Sequence, residues 1–391
     1  MRLLRQHDAP ATAGAADPEA DEAARVRAAV RADRARTELR HGRPVLLADA
    51  GSAGSTLLVA AIETLDAPRW AALRRRAGEW RLLLSRERLA AIGWDFGAAP
   101  PAVALAGEMT LDALREFAAV VAAGPVDGLR LVAPQPAGAA ARAALRLAVG
   151  ARLAPALVAA EVDEGLAAAL RADEDLLMLH AGDVPAAAPR VAPLRRRADA
   201  KVPLAAREDC RLVVFAEAEG DVEHVAVLVG QPDPSQPVPV RLHSSCLTGD
   251  LLGSLRCDCG DQLRRAIDHL AEVGGVLLYL SQEGRGTGLA NKLRAYRLQD
   301  GGLDTIEADR HLGFRGDERD FGIAVAMLRA LGIERITLLT NNPSKITALR
   351  RGGIEVAGRL PLIAPVNRHN SRYLRTKRER AGHLHPDDEQ E

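Results

Sequence analysis

The sequence predicts an α/β protein with mixed α+β sheets, divided into two domains. Three observations carry that reading. The chain has 391 residues, enough for two ordinary domains. In its first half, short apolar runs alternate with alanine-rich helical stretches. In its second half, polar glycine-bearing loops twice follow apolar strands, where α/β sheets hold their ligands.

Residues 1–22 are rich in Ala, Asp, Glu and Pro and read as a disordered tail. A first domain is expected over 23–190. It opens with the helix "DPEADEAARVRAAVRADRARTELRHG", with Asp17 as cap and Pro18 in the first turn. "RPVLLAD", "RLLLS", "GLRLVAP" and "DLLMLH" follow as strands. Residues 191–202, rich in Pro, Ala and Arg, read as a linker. A second domain spans 203–385, with 386–391 as a tail. "DCRLVVFAE" and "VEHVAVLVG" predict paired strands, and "PVPVRLHS" a third. "DQLRRAIDHLAEVGG" predicts a helix capped by Asp261 and ended by Gly274. Strand "VLLYL" runs into "SQEGRGTG" and helix "LANKLRAYRLQD". Helix "ERDFGIAVAMLRALGI" then leads to strand "RITLLT", the turn "NNP" and helix "SKITALRRGG".

Composition narrows the function classes. Formal net charge is zero, so no global field draws in nucleic acid or membrane. Aromatics make up 3%, which argues against base-stacking platforms. No apolar run approaches a membrane span, and the first residues have no apolar core of signal-peptide length. The expectation is a soluble cytoplasmic protein with neither nucleic acid nor membrane as partner. Lysine occurs only at 201, 292, 345 and 377 in an arginine-rich chain, which hints at a need for a compact ammonium there.

Three of the four cysteines crowd into "RLHSSCLTGDLLGSLRCDCG", while Cys210 stands alone. Cys246, Cys257 and Cys259 offer three thiolates to a soft cation. Three protein ligands and a water describe a catalytic zinc. A structural site completed by His243 or Asp258, or cysteines that are merely buried, also satisfies the spacing. "QEGRGTG" can bring backbone amides and Arg285 to a phosphate, or be an ordinary turn. "TNNPSK" opens a helix, so Thr340 and Lys345 can hold an anion there, or cap a turn. In "FRGDERDFG", Asp317 and Arg319 can form an acid–guanidinium pair, or part of a solvated charge run. Together these features suggest metal-assisted hydrolysis of a phosphorylated substrate.

"RLHSSCLTGD", "SLRCDCG", "QEGRGTGL", "NKLRAY", "DERDF" and "LLTNNPSK" together resemble GTP cyclohydrolase II of riboflavin biosynthesis, over about residues 203–385. The resemblance implies that Cys246, Cys257 and Cys259 hold one zinc ion per subunit, whose water attacks carbon 8 of guanine. Formate and diphosphate leave, the latter with Mg2+. The product would be 2,5-diamino-6-(5-phosphoribosylamino)pyrimidin-4(3H)-one. Arg319 matches the proposed nucleophile toward the α-phosphate, Asp317 the proton acceptor, and Tyr296 a tyrosine near the base. Arg241, His243, Ser244, Ser245, Gln262, Glu283, Gly284, Arg285, Thr305, Thr340 and Lys345 match GTP contacts. A homodimer is implied. Ser245 and Ser281 depart from the family pattern: Glu or Gln is usual at the first and Arg at the second.

The layout of "ELRHGRPVLLADAGSAGSTLLVAAIET" resembles the opening of 3,4-dihydroxy-2-butanone 4-phosphate synthase. There the acidic loop that helps bind magnesium is reduced to Asp49 in "DAGSAGST". The first domain therefore reads as a catalytically inert relative. Alternatives are a non-catalytic nucleotide-binding regulator, a bifunctional enzyme, or a cyclohydrolase relative serving another pathway.

Overall fold

Two seven-stranded sheets organise the chain. The structure, a computed structural model, describes residues 18–49, 56–93, 101–104, 110–118, 132–136, 138–173, 175–184, 194–217 and 222–384. The first sheet contains β1 (Val45–Ala48), β2 (Thr56–Ala61), β3 (Trp80–Leu84), β4 (Pro101–Ala104), β5 (Val132–Pro136), β6 (Ala156–Val162) and β7 (Met178–His180). Their order is β5-β4-β3-β6-β2-β1-β7, antiparallel throughout except for the parallel β1–β7 edge.

Successive residues of these strands point to opposite faces. Leu46, Leu58, Leu82 and Val158 enter one core, while Leu47, Val59, Leu83 and Leu157 enter the other. Both faces are covered, which is why the strands read as unbroken apolar runs rather than as alternation. Helices α1 (Pro18–Arg40) and α5 (Ala139–Gly150) cover the second face. Helices α2 (Ala67–Arg76), α3 (Arg86–Ala91), α4 (Leu111–Phe117) and α6 (Glu164–Asp173) contribute to the first.

The second sheet contains β8 (Leu194–Lys201), β9 (Cys210–Glu217), β10 (Glu223–Val229), β11 (Val238–Ser244), β12 (Gly275–Leu280), β13 (Arg335–Leu339) and β14 (Glu355–Leu360). Its order is β14-β13-β11-β12-β10-β9-β8. The four strands β14, β13, β11 and β12 run parallel, and the other three join antiparallel. Around it lie α7 (Cys259–Val273), α8 (Leu289–Asp300), α9 (Thr305–His311), α10 (Gly322–Ala330), α11 (Pro343–Arg351) and α12 (Ser371–Glu379). No helix among the described residues is long and apolar enough to cross a membrane.

The sequence reading needs three corrections. Residues 194–201 of the expected linker form β8, hydrogen-bonded to β9 along its length. This edge strand is exposed on nearly every residue, so "LRRRADAK" carries no apolar period to reveal it. Residues 191–193 lie outside the described residues. Residues 18–22, assigned to the tail by the expected domain bounds, are helical in α1, which starts at Pro18 as the helix motif implies; 1–17 lie outside the described residues. Helix α7 begins at Cys259 with Asp258 at its cap position, two residues before the expected start. The Asp258 carboxylate bonds other side chains instead of the helix backbone.

Candidate active site

Strands β11, β12 and β13 are adjacent and parallel, so their carboxyl ends open on the same edge of the sheet. The loops that leave them carry "SSC", "SQEGRGTG" and "TNNPSK". Together with α7, α8, α9 and α12 they enclose a cleft of about 360 Å³, the size of a small-molecule site. Every residue that the cyclohydrolase resemblance implies as catalytic, GTP-binding or zinc-binding lines this cleft.

At one end sit the three thiols. Cys246 Sγ and Cys257 Sγ are 3.7 Å apart, and the three sulfurs all lie within 4.8 Å of one another. Two sulfurs on one tetrahedral zinc stand about 3.8 Å apart, so this spacing fits a shared ion. His243 and Asp258 do not join the group: His243 Nε2 is 3.0 Å from Asp250, and Asp258 pairs with Lys377 at 2.6 Å. Gly249 N donates to Cys246 Sγ, and a Cβ at Gly249 would come within 3.0–3.1 Å of Cys246 Sγ, Cys257 Sγ and Cys259 Cβ. Only glycine leaves that space clear. Asp250 accepts from Cys246 N and from the Tyr279 hydroxyl, which fixes the first thiol.

Hydrogen bonds from the other two cysteines, with the Lys292 ammonium, hold the Cys246 thiol well below the usual thiol range. Lys292 Nζ lies 3.0 Å from that sulfur and 2.8 Å from Glu283. The hydrogen bond to Cys246 and burial push Cys257 up, and Cys259 rises well above the usual range for the same reasons. One thiolate is thus comfortable among these side chains, and the other two need a further cation.

The rest of the cleft is cationic. Nine Lys or Arg residues line it against three carboxylates, Glu283, Asp309 and Asp317. Burial together with Lys377, Lys345 and Arg319 drives the His383 imidazole down to about 3. Arg241 is fully buried and pushed down to about 10 by desolvation, yet it holds Leu339 O and Gln262 Oε1. Lys345, also buried, donates to Leu242 O at 2.8 Å; burial and then Arg241 and Arg319 lower it well below the usual lysine range. Such crowding of like charge favours a polyanion. The buried atoms His243 Nδ1, Ser244 Oγ and Gln282 Oε1 line the same cleft and find no partner among the described residues.

Arg319 meets Asp317 as a fork, Nε to Oδ1 at 2.8 Å and Nη2 to Oδ2 at 2.6 Å. Burial raises the Asp317 carboxyl, but the Arg319 bonds more than reverse this and leave it below the usual range. Arg285 has a left-handed backbone, φ 58°, and reaches Asp309 and Gly316 O. Burial lifts Tyr296 above the usual phenol range, so its hydroxyl stays a donor at neutral pH.

Helix α12 was invisible to the sequence reading, as were the roles of Gln282, Asp309, Tyr373, Arg380 and His383 in the cleft lining. The signal for part of it was lysine. Three of the four lysines, Lys292, Lys345 and Lys377, line this cleft. Lys377 closes a buried relay: it pairs with Asp258, which accepts from Gln262, which accepts from Arg241.

An α/β enzyme with a metal-competent thiol cluster beside a cation-rich cleft is the class these features define. The model of the GTP cyclohydrolase II family matches residues 195–361. The GTP cyclohydrolase-2 of Azospirillum brasilense is 44% identical over 381 residues, covering 91% of this chain and 94% of that protein. The GTP cyclohydrolase-2 of Azotobacter vinelandii is 58% identical over 169 residues, covering 43% of this chain and 81% of that protein. The chain belongs to the GTP cyclohydrolase II family, and it is a hydrolase. Among solved structures, a two-domain 3,4-dihydroxy-2-butanone 4-phosphate synthase from A. baumannii is similar at 16% identity and a TM-score of 0.31, over 85% of this chain and 99% of that one. A likeness that loose supports no argument. The family match ends at residue 361, so α12 with Tyr373 and Lys377 lies beyond it.

Two predictions follow from these charges. Asp309 is buried, and desolvation raises its carboxyl to about 7. The folded protein therefore holds a proton on Asp309 that the unfolded chain releases near pH 4, and this group's contribution to stability falls as pH rises from about 4 to about 7. Asp309→Asn should remove that contribution, so the mutant's denaturation midpoint should gain on that of the wild type as pH rises across the window. Lys377→Met should cost about 3 kcal/mol in urea denaturation, because it leaves the Asp258 charge buried alone; adding Asp258→Asn should recover much of the loss.

Proposed function

We propose that this protein is a zinc-dependent GTP cyclohydrolase II of riboflavin biosynthesis. It would convert GTP to 2,5-diamino-6-(5-phosphoribosylamino)pyrimidin-4(3H)-one with release of formate and diphosphate. The observation that carries the reading is the meeting, in one cleft, of three sulfurs spaced for one ion with a group of cations that outnumbers the lining carboxylates. The family's name supplies the nucleotide.

Cys246, Cys257 and Cys259 would hold the zinc. Bound zinc supplies a water acidified toward neutral pH for attack on the purine ring. Tyr296, on α8 beside the thiols, donates its phenolic hydrogen toward the base. Ser244 Oγ and Gln282 Oε1 are buried polar atoms suited to the edge of a nucleobase. Arg285, Thr340 and Lys345 face the phosphates, with Mg2+ accompanying the diphosphate. Arg319 attacks the α-phosphorus through a guanidinium nitrogen, the bond to the departing diphosphate breaks, and ionised Asp317 takes the proton; water then cleaves the phosphorus–nitrogen bond, which leaves the 5′-monophosphate, and the proton on Asp317 returns to the departing guanidine nitrogen. The Asp317 fork aims that nitrogen, since both side chains are fixed by two bonds. Glu283 and Arg241 serve the site less directly. Glu283 accepts from Leu247 N and Lys292, and Arg241 supports Gln262 and the end of β13.

The first domain is proposed to be inert as a synthase. Its surviving acidic residue, Asp49, accepts from Ala139 N at 3.2 Å at the start of α5. A carboxylate so used is poorly placed to gather a cation, and residues 50–55 offer none by sequence.

With GTP, zinc and magnesium, the purified protein should release one formate and one diphosphate per GTP, read by mass spectrometry. Cys257→Ser should abolish formate and lower bound zinc from one per chain. GTP bound but unchanged by the zinc-loaded wild type would refute the reading in favour of a regulator.

A further inference from the structure

The first domain touches the catalytic loops of the second, and it does so through a residue in an unusual backbone state. Arg152 follows α5 with φ 61°, a left-handed conformation that costs a non-glycine residue about 1 kcal/mol or more. Three parts of it meet the "SQEGRGTG" loop. Its Nη2 donates to Ser281 O at 2.7 Å, at the loop's start. Its carbonyl accepts from Asn291 Nδ2 at 3.0 Å, in the first turn of α8. Its Cβ packs 3.3 Å from where a side chain on Gly288 would begin, at the loop's end. The neighbouring backbone is itself held, because Glu63 accepts both Ala154 N at 2.8 Å and Arg294 of α8 at 2.7 Å.

The braced loop passes the constraint on. Arg285 O accepts from Glu318 N at 2.9 Å, between Asp317 and Arg319. Gly286 lies so close to the Glu318 backbone that a Cβ there would sit 2.8 Å from it. A second brace supports the same segment from upstream: Ser85 Oγ donates to Gly313 O at 2.7 Å, and buried Arg88 donates to His311 O at 2.9 Å. Arg88 is pushed down to about 10 by burial, and its guanidinium donates to Phe117 O and His311 O.

We propose that Arg152 is a positioning residue of the cyclohydrolase site, through which the first domain holds the 281–288 loop and, behind it, the Asp317–Arg319 pair. The domain that has lost its own chemistry is thereby part of the second domain's active site. This rests on the cyclohydrolase reading for its activity readout alone. The brace itself is a geometric claim.

The test uses the full chain with Arg152→Gly. Glycine accepts the left-handed backbone and keeps the carbonyl bond to Asn291, while the guanidinium is lost. A brace predicts a thermal midpoint within about 2 °C of wild type and unchanged zinc content. It predicts kcat for formate release down about tenfold or more, with KM changed less than threefold. Hydrogen exchange should quicken at amides 282–288 and 316–319 and stay unchanged in α10. Arg152→Lys, which keeps the charge but not the fork, should fall between the two. Wild-type exchange in both loops, or kcat within twofold of wild type, would overturn the proposal. Loss of activity together with stability and zinc would do the same, since that marks a purely structural role. If the wild type itself releases no formate, the cyclohydrolase reading fails, and the exchange data still decide whether Arg152 braces the loop.

Discussion

Three sulfurs within 4.8 Å of one another, in a largely buried pocket, cannot all be ionised without cations between and around them. Much of the second domain serves that constraint. Lys292 is placed against Cys246, Gly249 keeps the inner side of the cluster clear, and Asp250 fixes the turn that presents the first sulfur. Helix α7 begins at Cys259, so its N-terminus sets the third sulfur, and the second lies just before the cap residue Asp258. A divalent ion held there would complete the balance that Lys292 begins.

The same electrostatics extend along the cleft. Arg241 and Lys345 are desolvated and would be costly without an anion, and His383 is driven toward neutrality by burial and by the cations around it. A bound polyanion would relieve this repulsion, so part of its affinity would be prepared in the free protein. Three parallel strand ends deliver the cations from β11, β12 and β13 to one place, which is why residues a hundred positions apart act together. Helix α12 contributes Lys377 from the opposite side and joins the relay through Asp258 to Gln262 and Arg241.

Much of this was legible in the sequence, and the reasons differ by element. The strands β9 to β13 announce themselves because both faces are apolar and polar loops follow them. The cysteine spacing and the two anion loops are local, so they survive as motifs. The edge strand β8 is not legible, since an exposed arginine-rich strand has no burial period. Helix α12 is also hidden: it is strongly basic, it has one buried residue, and its worth lies in where it folds back. The Arg152 contact could not be read at all, because a hydrogen bond to a backbone carbonyl leaves no pattern in either segment. Lysine scarcity was the one compositional trace of the cleft's far wall, through Lys377.

The first domain carries two full cores of its own and places Arg152, Ser85 and Arg88 on the loops of its neighbour. X-ray absorption at the zinc edge of the loaded protein tests the central claim most directly. The account predicts three sulfurs at about 2.3 Å and one oxygen at about 2.0 Å, without the scattering signature of imidazole. Four sulfurs, or a histidine in the fourth position, would contradict it.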